Sequence, residues 1–276
     1  MSLIVPAEAP LRALILAAGV GCRLDDGTPE ALRKPKALLE FGGKSLLARH
    51  VEILRAAGVT SITVITGFAG AFIRAALAKL DDGPPVSVLV NPDFREGSVV
   101  SLHTGREVMH SGHPVILMDA DVLYDRRLMA RLLDSTLPNC LLLDRAIEPG
   151  DEPVKLCVRD GRIVDFRKRP TLPYDWHGES VGFFRFSAAT AAELADRAEA
   201  YVANGRRAME YEEPIRDMII ASNLNDAGSP TDTGSPGEAA TPARFGFEDI
   251  SGLPWTEIDF PEDVAKAQAL LPELIA

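Results

Sequence analysis

Short apolar runs alternate with segments of helical spacing through the first half of the chain. Leu11 to Leu16 is apolar and stops at a glycine turn, and Ser61 to Thr66 is rich in β-branched residues, so both runs predict strands. Between them, apolar residues recur at helical spacing from Ser45 to Ala57, and Gly58 follows where helices prefer to end. The same reasoning predicts a helix over 69–80 and strands over 86–90 and 115–118.

This alternation is typical of βαβ units arranged around a mainly parallel sheet. We therefore expect an α/β fold, a three-layer α/β/α sandwich with a mixed, mostly parallel sheet, in a single domain over residues 11–271. Ligands of such sheets bind beyond the carboxyl ends of the strands. Three segments follow predicted strands at that edge: the glycine turn at 17–23, Asn91-Pro92-Asp93 and Asp119-Ala120-Asp121.

The middle and end of the chain have shorter apolar runs and three further helical segments. Strands are predicted over 140–144, 155–159, 162–166 and 181–187, and helices over 188–204, 214–222 and 261–271. Asp160-Gly161 separates two of these strands as a two-residue hairpin turn. Residues 223–243 hold almost no apolar side chains beyond Leu224 and several alanines, which predicts a flexible insertion.

The composition restricts the possible partners. A formal net charge of -11 repels nucleic acids and anionic membranes, so neither is expected as a partner and a free nucleotide is favoured over a polymer. Cys22, Cys140 and Cys157 are scattered, which predicts neither zinc nor disulfides and indicates a cytoplasmic protein. No apolar run reaches the ~18 residues that cross a bilayer, and the first ten residues do not resemble a signal peptide. A homodimer is compatible with these features.

The strongest chemical signal is a glycine loop followed by basic residues. It reads Leu16-Ala17-Ala18-Gly19-Val20-Gly21-Cys22-Arg23-Leu24, and Lys34-Pro35-Lys36 comes shortly after. Glycines let backbone N–H groups approach phosphate oxygens closely. Arg23 and Lys36 can neutralise a triphosphate and the charge that develops during its transfer. The dinucleotide-binding fingerprint fails because position 24 is leucine, and no P-loop lysine follows at the required spacing.

This loop resembles the signature loop of the sugar-phosphate and alcohol-phosphate nucleotidyltransferases, and the resemblance extends from Leu11 to about Leu271. Within that group the chain is similar to the phosphocholine and aminoethylphosphonate cytidylyltransferases in the segments 91–94, 98–102, 118–124, 178–182 and 255–259. The resemblance implies a Rossmann-like fold, CTP as the nucleotide, and Arg23 and Lys36 as catalytic residues. It also implies nucleotide binding by Leu16, Ala17, Ala18, Gly19, Gly21, Asn91, Ser98 and Asp119.

Two carboxylates follow the strand predicted to end at Met118. Asp119 and Asp121 point the same way, because alternate residues of an extended chain share a face. Carboxylate oxygens suit Mg²⁺, which uses one or two of them when it also binds phosphates. The resemblance places this metal on Asp121 and Asp259, whereas Asp119 can equally be a cap or turn residue.

The resemblance also implies an acceptor site, with a lid formed by residues 145–215. Lys155, Lys168 or both would contact the acceptor's phosphate, although solvated lysines are the common alternative. Aromatic rings and carboxylates favour amines, so a cationic head group is expected beside residues of both kinds, against the alternative of core aromatics and an acidic helix start. The candidates are Tyr174, Trp176, Glu179, Glu210, Tyr211, Glu212 and Glu213.

The expected activity is transfer of CMP from CTP to a small phosphate or phosphonate, with release of pyrophosphate. Phosphocholine is slightly favoured over 2-aminoethylphosphonate as the acceptor. One alternative is a hexose-1-phosphate nucleotidyltransferase that uses UTP, GTP or dTTP. Another is a metal-dependent glycosyltransferase with an Asp-x-Asp site, although Arg23 and Lys36 suit a triphosphate better than a nucleotide-sugar. A catalytically silent nucleotide-binding domain is a third, against which the joint presence of Arg23, Lys36, Asp121 and Asp259 argues.

Overall fold

The computed structural model of the chain describes residues 10–24, 29–30, 33–80, 83–147, 150–227 and 244–274. The strands in chain order are β1 (Arg12–Ala17), β2 (Glu40–Phe41), β3 (Lys44–Ser45), β4 (Ser61–Thr66), β5 (Ser87–Val90), β6 (Val115–Asp119), β7 (Val122–Tyr124), β8 (Cys140–Asp144), β9 (Lys155–Arg159), β10 (Arg162–Arg167), β11 (Trp176–Phe186), β12 (Gly246–Asp249) and β13 (Trp255–Glu257). The helices are α1 (Leu46–Ala56), α2 (Gly70–Leu77), α3 (Ser98–Thr104), α4 (Arg106–Met109), α5 (Arg126–Asp134), α6 (Ala188–Ala203), α7 (Glu212–Ala227) and α8 (Pro261–Leu270).

The central sheet is mixed. Its strands lie in the order β10-β9-β11-β6-β1-β4-β5, and β8 and β12 extend it beside β11. β6, β1, β4 and β5 are parallel neighbours, whereas β11 runs antiparallel to β6, β8 and β9. The parallel strands carry the predicted βαβ units, so the predicted fold class is confirmed.

Helices cover both faces of this sheet. Successive residues of β1 point to opposite faces, so Leu14 packs with buried residues of α3, α6 and α7, and Ile15 packs with those of α1, α2 and α5. α1 shows why these segments are helical. It buries Leu47, Val51 and Leu54, which share one helical face, and the Ser45 side chain caps its first turn by accepting from Ala48 N at 3.2 Å.

The structure differs from the sequence-based expectation at several element boundaries. β11 begins at Trp176 rather than at 181, because its first half pairs with β9 and only its second half pairs with β6. α7 begins at Glu212 and continues through 223–227, the first part of the predicted flexible insertion. The rest of that insertion, 228–243, lies outside the described residues. Among the described helices, none combines the length and the apolar character that a membrane span requires.

Candidate active site

Two strand pairings bring the predicted metal ligands together at the carboxyl edge of the parallel strands. β1 and β6 run side by side with Leu16 opposite Asp119, so both strands end at this edge. Beyond β6, β7 pairs with β13 in antiparallel fashion, and Ile258 N donates to the Asp121 carbonyl at 2.9 Å. Asp121 and Asp259 are therefore neighbours, although they are far apart in the sequence.

A cleft of about 320 Å³ opens at this edge. Most of the predicted site residues line it: Leu16, Ala17, Ala18, Gly19, Gly21, Arg23, Lys36, Ser98, Asp119, Asp121, Lys168, Tyr211 and Asp259. The lining also includes Phe94, Glu96, Ser101, Glu152, Glu210, Glu212 and Glu257. Carboxylates outnumber the three cationic side chains of the lining. The cleft therefore suits cationic ligands, or anionic ligands that bind together with a metal cation.

The ammonium group of Lys36 bridges two carboxylates of the cleft. Its Nζ atom lies 3.1 Å from Asp121 Oδ2 and 2.5 Å from Asp259 Oδ1. Burial by itself lowers the pKa of Lys36, but the two carboxylates outweigh burial and raise the pKa above its ordinary value. The glycine turn makes room for this side chain, because a Cβ atom at Gly21 would lie 3.0 Å from Lys36 Cγ. Lys36 is therefore a fixed positive charge beside the loop.

Three carboxylates form a cluster with the donor chemistry of a divalent-metal site. Oxygen atoms of Asp121, Glu257 and Asp259 all lie within 4.8 Å of one another. Burial, and then repulsion by the two aspartates, raises the pKa of Glu257 well above its ordinary value. Lys36 compensates part of the negative charge of this cluster. Carboxylate oxygens at such spacing can also bind a divalent cation. Glu257 was not among the predicted ligands, although it lies two residues before Asp259, the spacing at which side chains of an extended segment share a face.

Arg23 connects two parts of the cleft through its contacts with two carboxylates. Its guanidinium is 3.2 Å from Asp259 Oδ2 and 2.6 Å from Glu152 Oε2, and it also stacks over the Phe260 ring at 5.4 Å. The Arg23 side chain remains 40% exposed, so it is accessible to a ligand in the cleft. These contacts place a second cation next to the acidic cluster.

Asp119 is held by a hydrogen bond rather than by a cation. Tyr211 donates from its hydroxyl to Asp119 Oδ2 at 2.6 Å, and Tyr211 N donates to Ser98 Oγ at 2.9 Å. Burial, and then the charge of Asp121, raises the pKa of Asp119 well above its ordinary value. Tyr211, which directly precedes α7, therefore contacts two of the predicted nucleotide-binding residues, Ser98 and Asp119.

Replacing Gly182 by alanine is expected to displace Asp119. Gly182 has a φ of +76°, and a Cβ atom there would lie 2.2 Å from Asp119 Oδ2. Gly161→Ala is the matched control, because Gly161 has a φ of +73° with no atom within 4 Å of the added carbon. In denaturant unfolding, Gly161→Ala should lower the free energy of unfolding by about 1–2 kcal/mol. Gly182→Ala should lower it by a further ~1–3 kcal/mol through the clash, and equal losses would contradict this account.

The side of the cleft that carries the predicted acceptor-binding residues combines one lysine with several carboxylates. Lys168 Nζ lies 3.4 Å from Glu152 Oε2 and 3.5 Å from Glu210 Oε1. Glu212 Oε2 is buried and has no hydrogen-bond partner in the described part of the chain. Burial, and then the charge of Glu210, raises the pKa of Glu212 to about 8. A cationic group bound here would supply the partner that Glu212 lacks.

Six predicted site residues lie outside the cleft, and two of them are the head-group candidates Tyr174 and Glu213. The other four are Asn91, Lys155, Trp176 and Glu179. Asn91 is fully buried; its side-chain amide donates to Ser101 Oγ at 3.0 Å and its carbonyl accepts from Asp93 N at 2.9 Å. Lys155 Nζ donates to the carbonyls of Gly150 and Lys168, both at 3.0 Å.

The other two, Trp176 and Glu179, lie on the first half of β11. Trp176 packs edge-on against Phe247 and lies beneath the Arg145 guanidinium at 4.5 Å. Glu179 lies opposite Asp144 of β8 and Lys155 of β9 in the strand register, and it lines a cavity separate from the cleft. The side chains of all four residues therefore contact neighbouring protein groups rather than the cleft.

His50 on α1 contacts the segment that carries the predicted metal ligand Asp121. Burial lowers the pKa of His50 to about 4, so the ring is neutral, and its Nε2 atom lies 3.1 Å from the Ala120 carbonyl. Ala120 separates Asp119 from Asp121. The apolar spacing of α1 identifies His50 as a core residue but does not indicate this contact, because the contact joins residues that are distant in the sequence.

Parallel strands, a glycine loop beside two cations and a facing group of carboxylates define a nucleotide-binding α/β protein of the nucleotidyltransferase class. Residues 13–162, more than half of the chain, match the MobA-like NTP transferase domain, and the chain belongs to this family.

Similar proteins of known structure extend this comparison over almost the whole chain. The inositol-1-phosphate CTP transferase from T. maritima has a TM-score of 0.70 at 19% identity, covering 97% of this chain and 98% of that one. The CTP:phosphocholine cytidylyltransferase from Streptococcus pneumoniae has a TM-score of 0.66 at 20% identity, covering 95% of this chain and 99% of that one. At these identities the likeness establishes the fold.

A curated relative is the CMP-5'-(3-aminopropyl)phosphonate synthase of Streptomyces rubellomurinus. It is 26% identical over 263 residues, which is 95% of this chain. The chain spans only 39% of that relative's length.

Proposed function

We propose that this chain transfers CMP from CTP to a small phosphate or phosphonate acceptor that carries an amine, with release of pyrophosphate. The observation that carries the proposal is the contact of Arg23 and Lys36 with the carboxylates beside the glycine loop. Nucleotidyl transfer needs cations for the triphosphate and oxygen ligands for a divalent ion, and the cleft offers both. Family membership supports nucleotidyl transfer, and the names of the similar proteins support CTP.

Each part of the cleft has a role in this reaction. The backbone of 17–21 would bind the phosphates, and Arg23 and Lys36 would stabilise the charge of the departing pyrophosphate. Asp121 and Asp259, with Glu257 beside them, would hold Mg²⁺, which when bound neutralises phosphate charge. An oxygen of the acceptor's own phosphate attacks the α-phosphorus and pyrophosphate leaves, so positioning replaces a protein nucleophile.

The acceptor-binding part would come from residues 145–215, as the resemblance implies. Glu152, Lys168 and Tyr211 of this range line the cleft. Lys168 would bind the acceptor's phosphate, and the neighbouring carboxylates would bind its cationic end. The free thiols of Cys22, Cys140 and Cys157 support a cytoplasmic location, where reducing conditions preserve them.

The contacts of this region favour a primary ammonium over a quaternary one. A quaternary head prefers several ring faces, but Trp176 lies outside the cleft and Tyr174 packs against His177 instead. Tyr211 lines the cleft with its hydroxyl engaged by Asp119. A primary ammonium needs hydrogen-bond acceptors, which Glu212 and its acidic neighbours provide. The slight preference for phosphocholine therefore shifts towards an aminoalkylphosphonate.

A panel of acceptors with CTP and Mg²⁺ tests this proposal. We expect kcat/KM for 2-aminoethylphosphonate to exceed that for ethylphosphonate by about 10–100-fold, because a hydrogen bond to a charged group contributes about 1.5–3 kcal/mol. Glu212→Gln should bring this ratio close to one. Glu199→Gln, an exposed change on α6, should leave it unchanged. Phosphocholine and glucose-1-phosphate complete the panel.

Two outcomes would count against an amine-binding site. Equal turnover of 2-aminoethylphosphonate and ethylphosphonate would show that the carboxylates do not recognise the amine. A clear preference for glucose-1-phosphate would support a hexose-1-phosphate nucleotidyltransferase instead.

A further inference from the structure

A second cavity, of about 620 Å³, lies between α1, α5 and the turn Leu271–Glu273. Among the described residues, its lining has no member in common with the cleft. Apolar side chains form much of its wall: Ile53, Ala56, Met129, Leu271 and Leu274. Pockets of about 300–1,000 Å³ with such walls hold small organic ligands. We name this cavity the basic groove because Lys44, Arg49, Arg126 and Arg127 line it.

Positive charge dominates the rim of the basic groove, although the whole chain is acidic. Lys44 is paired with Glu52, and Arg127 is paired with Asp125 at 2.7 Å. Arg49 and Arg126 also line the groove, and within the described ranges neither has a carboxylate at ion-pair distance. Two guanidinium groups therefore remain uncompensated beside an apolar wall, in a chain whose net charge is -11. This combination favours an occupant with both an anionic group and an apolar part.

Two buried donors on lining residues have no acceptor within the part of the chain that the structure describes. Tyr124 is only 4% exposed, and neither its hydroxyl nor Arg49 Nε has a hydrogen-bond partner in the described part of the chain. Folded proteins satisfy the large majority of their buried polar groups, so two such groups at one groove require an explanation. Arg49 Nε can only donate and the Tyr124 hydroxyl can donate, so an acceptor oxygen satisfies both groups. A carboxylate oxygen is such an acceptor.

We propose that the basic groove binds a free medium-chain carboxylate, with its chain along Ile53 and Met129 and its head group at Arg49, Arg126 and Tyr124. The apolar wall removes the chain from water, and the two uncompensated guanidinium groups hold the anion. The groove lies apart from the cleft, so this site stands independently of the proposed transferase activity.

Calorimetry on the chain without nucleotide or metal tests the site, with decanoate as the probe. Acetate has the same head group without the chain, and decyltrimethylammonium has the same chain with the opposite charge. We expect decanoate to bind at least 10-fold more tightly than either. Arg49→Gln should weaken decanoate binding about 10-fold, and Ile53→Asp should abolish it. Arg131→Gln, an exposed change on α5 outside the groove, should leave it unchanged.

Tyr124→Phe distinguishes a ligand-binding role from a structural one. The hydroxyl has no partner among the described residues, so its removal should leave the thermal midpoint equal or higher. The same change should weaken decanoate binding about fivefold, because one hydrogen bond is lost. A lower midpoint with unchanged binding would overturn the proposed role of the hydroxyl.

Three results would overturn the site as a whole. Equal binding of decanoate and decyltrimethylammonium would identify a non-specific apolar surface. Absence of decanoate binding in the millimolar range would exclude the carboxylate. A dimer of the free chain that Ile53→Asp converts to monomers would show that a second copy of the chain occupies the groove.

Discussion

Asp121→Ala and Asp259→Ala are each expected to lower turnover by at least about 100-fold at millimolar Mg²⁺, the scale of losing one preorganised electrostatic contact. The two carboxylates are neighbours in the cluster of three, with oxygen atoms within 4.8 Å. Mg²⁺ requires oxygen ligands in near-octahedral positions, and phosphate and water cannot replace a lost anchor well. Steady-state kinetics over a range of Mg²⁺ concentrations measure the loss.

Metal binding without turnover separates this role from a general effect on folding. Mg²⁺ or Mn²⁺ should raise the thermal midpoint of the unaltered chain, and neither aspartate variant should show that shift. Asp134→Ala at the end of α5, away from the cleft, serves as the control and should retain both properties. A larger loss of turnover in Asp119→Ala than in Asp121→Ala would show that Asp119, rather than Asp121, holds the metal.

Lys36→Ala is expected to lower kcat by about 100–1,000-fold while KM for CTP changes little. The ammonium group lies beside the glycine loop and would meet charge that develops only in the transition state. Interactions of that kind appear in kcat rather than in KM. Lys34→Ala is the matched control, because Lys34 precedes the same turn but is exposed and outside the cleft.

Lys36→Ala should also change the response of the free chain to divalent metals. Its removal takes away the cation that bridges Asp121 and Asp259 and, of these two carboxylates, leaves Arg23 in contact with Asp259 alone. The variant should therefore have a lower thermal midpoint without metal, and Mg²⁺ should restore more of it than in the unaltered chain. A variant that retains full kcat would refute a role in catalysis, whatever its stability.

Local sequence signals predicted most of the scaffold because they depend on near neighbours. β4, β8 and β9 have the predicted bounds, and the turn at Asp160-Gly161 has the positive φ values of a two-residue hairpin turn. α3 and α5 were not predicted from the sequence. α5 contains four charged residues in nine positions and depends on the buried Leu128, Met129 and Leu132 for its packing.

Contacts of the site that join residues distant in the sequence depend on tertiary structure, so local sequence signals did not predict them. Glu257 joins the cluster of three carboxylates only because β13 pairs with β7, and this pairing of distant short strands has no local signal. Lys155 and Trp176 have residue types that suit an acceptor site, but the strand pairing directs both side chains towards other protein groups. Residue type identified candidates, and the register of β9 and β11 decided which of them reach the cleft.

The most direct test of the central claim follows the α-phosphorus of CTP. The chain is incubated with [α-³²P]CTP, Mg²⁺ and 2-aminoethylphosphonate, and in parallel with [γ-³²P]CTP. The account predicts that the α-label appears in a CMP-linked phosphonate and that the γ-label appears only in pyrophosphate, in equal amounts. Transfer of the γ-label to the acceptor, or absence of the α-label from the phosphonate, would contradict it.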